Sequence, residues 1–185
     1  MSAQEILASA GSFSNHDLLL FEEKTLRKVF KKNDTILLRG EICQSVYFIL
    51  YGSFVQFQSN DATETIIDLH LPKEWMYNHP SLIEQKPSGT TIKAFEDAEV
   101  IELSLSNLHE LIARSPAFLS LGRIFGQANH RTYLFDNALN PAQKYNYIKN
   151  AKPLIVQVFP VKMIASYLKI TPETLSRVRA NRYIS

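Results

Sequence analysis

The order of apolar and polar positions divides most of the chain into three stretches. Residues 3 to 31 carry a helical pattern, with Leu18, Leu19, Leu20 and Phe21 clustered and a Lys-rich end at Lys28, Lys31 and Lys32. From 34 to 103 the pattern shifts to short runs: Ile36 to Leu38, Val46 to Leu50, Phe54 to Phe57, Thr65 to Leu71, Thr91 to Phe95 and Val100 to Leu103. Turn formers separate them at Asn33-Asp34, Gly40, Gly52, Ser59-Asn60-Asp61 and Pro87-Ser88-Gly89. Many short strands at this spacing predict a barrel or roll. After Ser104 the pattern is helical again, is interrupted at Pro116, and runs from Ala117 to about Leu139. Leu121, Ile124, Phe125, Ala128, Leu134 and Phe135 form a stripe there, suited either to packing on the roll or to pairing with a second copy.

The last stretch, VKMIASYLKITPETLSRVRANR, has the spacing of a helix-turn-helix. Ile164, Ala165, Leu168, Ile170, Leu175 and Val178 fall where two steeply crossing helices bury side chains against each other, and the small Ala165 lets the backbones approach. Thr171 reads as an N-cap, Pro172 as the first helical residue and Glu173 as an acid at the positive end of the helix dipole. The turn before them places Lys169 where a residue takes positive φ, which costs a non-glycine residue on the order of 1 kcal/mol. On the second helix Glu173, Thr174, Ser176 and Arg177 lie on or near the solvent face, opposite Leu175 and Val178. Arg fits guanine as a two-pronged donor, Glu accepts from the cytosine amino group, and Thr or Ser can bond a base or a phosphate. Arg179, Arg182 and Lys162 are placed for phosphates.

Charge sharpens this. Residues 141 to 185 hold eight Lys or Arg against one acid, a net of +7, so the preceding 140 residues net −5 within a chain total of +2. Such segregation suggests a polyanion footprint on one module. A solvated basic tail would have no reason to interleave its charges with apolar residues at helical spacing. At 185 residues and 45% hydrophobic, the chain can bury one medium core and a small helical one. The single cysteine, Cys43, excludes a disulfide framework within the chain and a multi-cysteine metal site. No apolar run reaches the roughly 20 residues of a membrane span, and no leader pattern opens the chain, so a cytoplasmic protein is expected. The histidines His16, His70, His79, His109 and His130 form no ligand pair. With no nucleophile-and-base motif and no Gly-rich phosphate loop, enzymatic activity of any kind, including that of a metal-dependent β-barrel, is not expected.

The tail resembles the C-terminal domain of Crp/Fnr-type bacterial transcription regulators, and IASYLKITPETLSRVR in particular a branch common in Bacteroidetes. The resemblance extends upstream: FKKNDTILLRGEICQSVYFILYGSFVQF is similar to the first hairpins of the family's cyclic-nucleotide-binding-like β-roll, and KAFEDAEVIELS to the strand and turn that close it. It implies an α+β fold: an N-terminal double-stranded β-helix of jelly-roll type with flanking helices over 1–115, a long linking and dimerisation helix over 116–139, and a small winged-helix-like helix-turn-helix domain over 140–185. It also implies Glu173 and Arg177 as the base-reading pair. Pro172 stands where several members have Arg.

In family members that bind a cyclic nucleotide, a Gly-Glu pair, a short helix and an Arg followed by Ser or Thr hold the phosphate. The matching segment is LPKEWMYNHPSLIEQKPSGTTIKAF, where Lys73-Glu74 replaces Gly-Glu, Ser88-Gly89 occupies the Arg position, and no Arg occurs between Arg39 and Arg114. Cyclic nucleotide binding is therefore doubtful. Glu74, Trp75, Lys86, Ser88, Thr90 and Thr91 are candidate contacts for some other small effector, with no cofactor or metal expected, although a Lys point charge does not replace an Arg fork. The expected partners are duplex DNA and a second copy of the chain, with RNA polymerase a further candidate and no membrane. The competing reading is a small-molecule sensor module that does not bind DNA.

Overall fold

The computed structural model describes residues 1–60, 63–123 and 138–180. Two four-stranded antiparallel sheets face each other across the main core. Their strands are β1 (Leu26–Phe30), β2 (Thr35–Leu37), β3 (Ser45–Tyr51), β4 (Phe54–Asn60), β5 (Thr63–His70), β6 (Trp75–Met76), β7 (Thr91–Ala94) and β8 (Ala98–Ser104). One sheet runs β1-β8-β3-β6 and the other β2-β7-β4-β5. This is the expected roll. Ile49, Phe54, Ile92, Ala94, Ala98 and Val100 fill its interior, nearly without exposure. Gly52, at φ 81°, makes the turn between β3 and β4; a Cβ there would lie 2.6 Å from the Asp97 carbonyl oxygen, so only glycine fits.

The helices are α1 (Ala3–Leu7), α2 (Asn15–Lys24), α3 (His79–Glu84), α4 (Leu105–Arg114), a 3-10 turn at Pro116–Leu121, then α5 (Pro141–Ala151), α6 (Ile155–Val158), α7 (Val161–Tyr167) and α8 (Pro172–Ala180). Capping boxes open α1 at Ser2 with Glu5 and α2 at Ser14 with Asp17. Leu7, Phe21, Leu111 and Phe118 belong to the roll's core cluster. No helix among the described residues is long and apolar enough to cross a membrane.

One early expectation is corrected. The helical pattern over 3 to 31 ends at Lys24, and Leu26–Phe30 is an edge strand paired with β8. Its adjacent Arg27 and Lys28 make cross-strand ion pairs, Arg27 with Glu99 and Lys28 with Glu102, each at 2.6 Å. The break at Pro116 is as expected, but the run beyond it starts as a 3-10 turn. Most of the predicted stripe, Ile124, Phe125, Ala128, Leu134 and Phe135, lies outside the described residues, as do Arg182 and His130. The described part of 140–180 consists of helices joined by short turns and contains no strand.

The C-terminal helices close over the second sheet. Val55, Phe57, Ile66, Leu69 and Leu71 join Tyr145, Ile148, Ile155, Phe159, Ile164, Ala165, Leu168 and Leu175 in a second core. A bulge makes this possible. Gln56 pairs with Asp68 but Phe57 with Ile66, leaving Ile67 unpaired and 41% exposed. The extra residue resets the two-residue alternation, so Ile66 and Leu69, three apart, both join that core.

Candidate functional site

Helices α7 and α8 are joined through local bonds that the sequence dictates. At the end of α7 the N–H of Ile170 donates to Ala165 O and that of Lys169 to Ser166 O, both at 3.0 Å, with Lys169 at φ 55°. This is a Schellman closure with lysine in the left-handed position. Lys144 reinforces it: its buried Nζ donates to Leu168 O at 3.1 Å. Thr171 Oγ1 then accepts from the N–H of Thr174 at 3.2 Å, the expected N-cap. Ala165 and Leu175 are completely buried in the crossing.

That crossing turns the polar face of α8 outward. Glu173, Ser176 and Arg177 are exposed, and Thr174 and Arg179 are half-buried. Arg177 donates to Thr174 Oγ1 at 3.4 Å, and Thr171 to the same oxygen at 3.1 Å, a short chain along one face of the helix start. The Glu173 carboxyl is held below its ordinary range, chiefly by its own backbone N–H and then by the Thr171 hydroxyl, with a smaller attraction from Arg177. It stays an acceptor at neutral pH. Lys162 is exposed on α7, and Lys149 and Lys169 are exposed as well. Lys144 and Lys152 are each 8% exposed and point their charge inward, so two of the eight basic residues are not available to a polyanion.

The six expected effector contacts do not converge. Ser88 and Thr90 do meet: Ser88 Oγ donates to Thr90 O at 2.7 Å and accepts from the N–H of Thr90 at 3.1 Å. The other four go elsewhere. Thr91 Oγ1 accepts from the N–H of Arg39, Lys86 pairs with Glu84, and Glu74 pairs with Lys152 at 2.8 Å. Trp75 stacks edge-on against Phe48, with its buried indole N–H without a partner.

Three residues outside that set complete the group around Ser88 and Thr90. Asn78 caps α3 through Oδ1, accepting from the N–H of Ser81 at 3.0 Å, while its Nδ2 donates to Ser88 Oγ at 3.0 Å and Thr90 Oγ1 at 2.7 Å. Gln56 Nε2 also donates to Thr90 Oγ1, at 2.8 Å, and Gln56 Oε1 lies 3.4 Å from His70 Nε2. Asn78 carried a sequence signal, an Asn two residues before Pro80, which is N-cap spacing. Gln56 and His70 carried none.

A separate cavity of about 240 Å³ opens at the β2–β3 side of the roll, where Ile36, Ile42, Cys43 and Ile92 meet Ser45, Tyr47 and Glu102. None of the six expected contacts lines it. Burial pushes the Cys43 thiol up and, with the neighbouring Glu102 charge, pushes the Tyr47 phenol well above its ordinary value. Among the described residues no group of three His, Cys, Asp or Glu is placed to hold a metal ion.

Residues 27–115 match the family described as the cyclic nucleotide-binding domain. The roll is similar to a cyclic nucleotide-binding domain. The described residues have a fold similar to that of solved Crp/Fnr-type regulators. The chain is similar to the catabolite activator protein of Thermus thermophilus, at 19% identity and TM-score 0.60, over 96% of this chain and 85% of that one. FixK2 of Bradyrhizobium japonicum gives 15% identity and TM-score 0.65 over 86% and 85% of the two chains. A CooA mutant of Carboxydothermus hydrogenoformans gives 14% and 0.66 over 98% and 84%. A comparison with curated proteins gives no match.

The segment around Ser88, where the sequence comparison expects a phosphate-holding Arg, is bonded up by its own side chains. Ser88 and Asn78 are each 3% exposed and Gln56 6%; Asn78 donates to Ser88, and both Asn78 and Gln56 donate to Thr90 Oγ1. Lys73-Glu74 lies in the turn ahead of β6, whereas Tyr77-Asn78 leads directly into the short helix. Among the described residues, the side-chain bonds of Ser88 and Thr90 go to no Lys or Arg. An anionic phosphodiester entering there would have to break a satisfied buried network without a fixed charge to meet it.

Proposed function

We propose that this protein is a DNA-binding transcription regulator of the Crp/Fnr type that acts as a homodimer in the cytoplasm. Helix α8 lies in the major groove, Glu173 and Arg177 read base edges, Thr171, Thr174 and Ser176 bond bases or phosphates, and Lys162, Arg179 and Arg182 hold the backbone. The observation that carries this reading is the outward face of α8: an acid and a guanidinium stand exposed on a capped helix that follows a tight turn. A second copy of α8 about 34 Å away would meet the next major-groove face of a two-fold symmetric site, which gives dimerisation its physical use. RNA polymerase is the further partner that such a regulator engages. The roll serves as scaffold or as sensor of an effector other than a cyclic nucleotide. No catalytic role is assigned.

The test is binding of the full chain to duplex DNA between about 50 and 200 mM salt, where neutralised phosphates make log affinity fall linearly with log salt. Duplex binding with that slope supports the reading. Its absence would leave a sensor module that does not touch DNA.

A further inference from the structure

We propose that Lys152 is the positioning residue that fixes the orientation of the DNA-reading helices on the roll, and through it the spacing of half-sites the dimer accepts. The inference rests on the DNA-binding reading above. Lys152 follows α5 and reaches across to the second sheet, where its Nζ donates to Leu69 O at 2.7 Å and to Glu74 Oε2 at 2.8 Å, with Asp68 Oδ1 at 3.5 Å. Its side chain is 8% exposed. Beside it, Ser166 Oγ of α7 accepts the N–H of Ile66 at 3.0 Å, on β5, the edge strand of its sheet.

Around these bonds lies the apolar cluster that the two parts share. Apolar burial scales with area and has no direction, so on its own it tolerates sliding and rotation. A buried ammonium has direction. Once removed from water it must keep its partners, and any displacement of the helices by more than an ångström or so strands the buried ammonium away from its acceptors, at a cost of several kcal/mol. Here the directional ion pair is what selects one arrangement of the helices among near-equals, whatever it adds to stability. The arrangement selected leaves Glu173, Ser176 and Arg177 in solvent, so the clamped state is the one able to read DNA. In a dimer, the offset between two recognition helices is then set by two copies of this clamp.

Two variants of the full chain test it. Lys152→Met keeps the stem and removes the charge; Glu74→Gln, at a half-exposed position, removes one partner's charge and keeps folding safe. Amide hydrogen exchange is read at Ile66 on the β5 edge and at the β4 amides that bond to β7. DNA affinity is read on the duplex that the wild-type chain selects from a random pool, and on the same duplex with one base pair added between its half-sites. If the clamped orientation drops to about a tenth of the population, apparent affinity for the selected duplex falls about tenfold. We expect faster exchange at Ile66 with β4 unchanged, that loss of affinity, and discrimination between the two spacings reduced severalfold, with Glu74→Gln showing the same changes more weakly. Unchanged exchange at Ile66 in both variants overturns the proposal, as does unchanged spacing discrimination or a gain in affinity. Exchange rising equally in β4 marks Lys152 as a general stabiliser and also overturns it. If the wild type selects no duplex, the regulator reading fails by itself, and with it the spacing claim, while exchange at Ile66 still decides whether the clamp holds the two parts together.

Discussion

Lys144 Nζ donates to the carbonyl of Leu168 at 3.1 Å, so a buried lysine from α5 caps the helix that leads into the turn. Its charge meets the negative end of the α7 dipole. Replacing it with methionine leaves that carbonyl unpaired and should cost about 1–3 kcal/mol of stability. The salt slope of DNA binding should stay as in the wild type, because this cation never meets a phosphate. Urea midpoints and anisotropy titrations on one preparation check both; a reduced slope would put Lys144 back among the phosphate contacts.

The turn offers a change in the opposite direction. Lys169 sits at φ 55°, held by the Schellman bonds, at a position where a side chain carries a cost that glycine does not. Lys169→Gly should stabilise the chain by roughly 0.5–1 kcal/mol, the relief exceeding the entropy glycine adds to the unfolded state. Thermal denaturation at constant pH measures it. An unchanged or lowered midpoint would mean that interactions of the lysine side chain outweigh the backbone strain.

These two lysines show which parts of the site could be read in advance. The N-cap at Thr171, the strained turn at Lys169 and the outward face of Glu173 and Arg177 depend on neighbours within four residues, and local spacing carries that information. The strands were legible because turn formers bracket them. The first strand was not, because an edge strand with paired charges at Arg27 and Lys28 reads like the polar end of a helix. Glu74 and Lys152 are 78 residues apart, and no periodicity reports that a carboxylate in a turn awaits an ammonium from another helix. For the same reason the basic total over 141 to 185 overstates the footprint: internal caps and surface contacts have one letter in common.

Arg177 and Arg179 should separate in their effects. Arg177→Ala should cost roughly 1–3 kcal/mol on a selected duplex and relax preference at one base pair, whereas Arg179→Ala should weaken all duplexes alike and reduce the salt slope by about one. Competition between selected and random duplexes distinguishes them. Equal losses on both for Arg177→Ala would remove it from the base-reading role.

Glu102 supplies a pH dependence. Burial raises its carboxyl, but the bonds from Lys28, Ser45 and Tyr47 outweigh burial and leave it below its ordinary value of 4.5. A carboxyl lowered by folding contributes stability that is present above the unfolded value and lost as pH falls through the folded one. Glu102→Gln should therefore be less stable than wild type at neutral pH, and the gap should close below about pH 4.5 as the wild-type carboxyl is protonated. Urea midpoints from about pH 7 to about pH 3 trace it. A gap that stays constant across that range would mean the Lys28 contact is not ionic.

The interior of the roll makes the last prediction. Asn78 joins α3 to the pair Ser88 and Thr90, and Gln56 closes the group against His70. Asn78→Ala removes the cap of α3 together with the donors to both hydroxyl oxygens, and a buried network losing a member costs more than one bond, about 2–4 kcal/mol. Titration calorimetry of the wild type with cyclic AMP and cyclic GMP should give no heat, because either phosphate would have to displace these bonds and meet no arginine. Heat that disappears in Asn78→Ala, with the variant still folded by circular dichroism, would mean that the network opens to admit a nucleotide and that Asn78 stands in for the missing arginine.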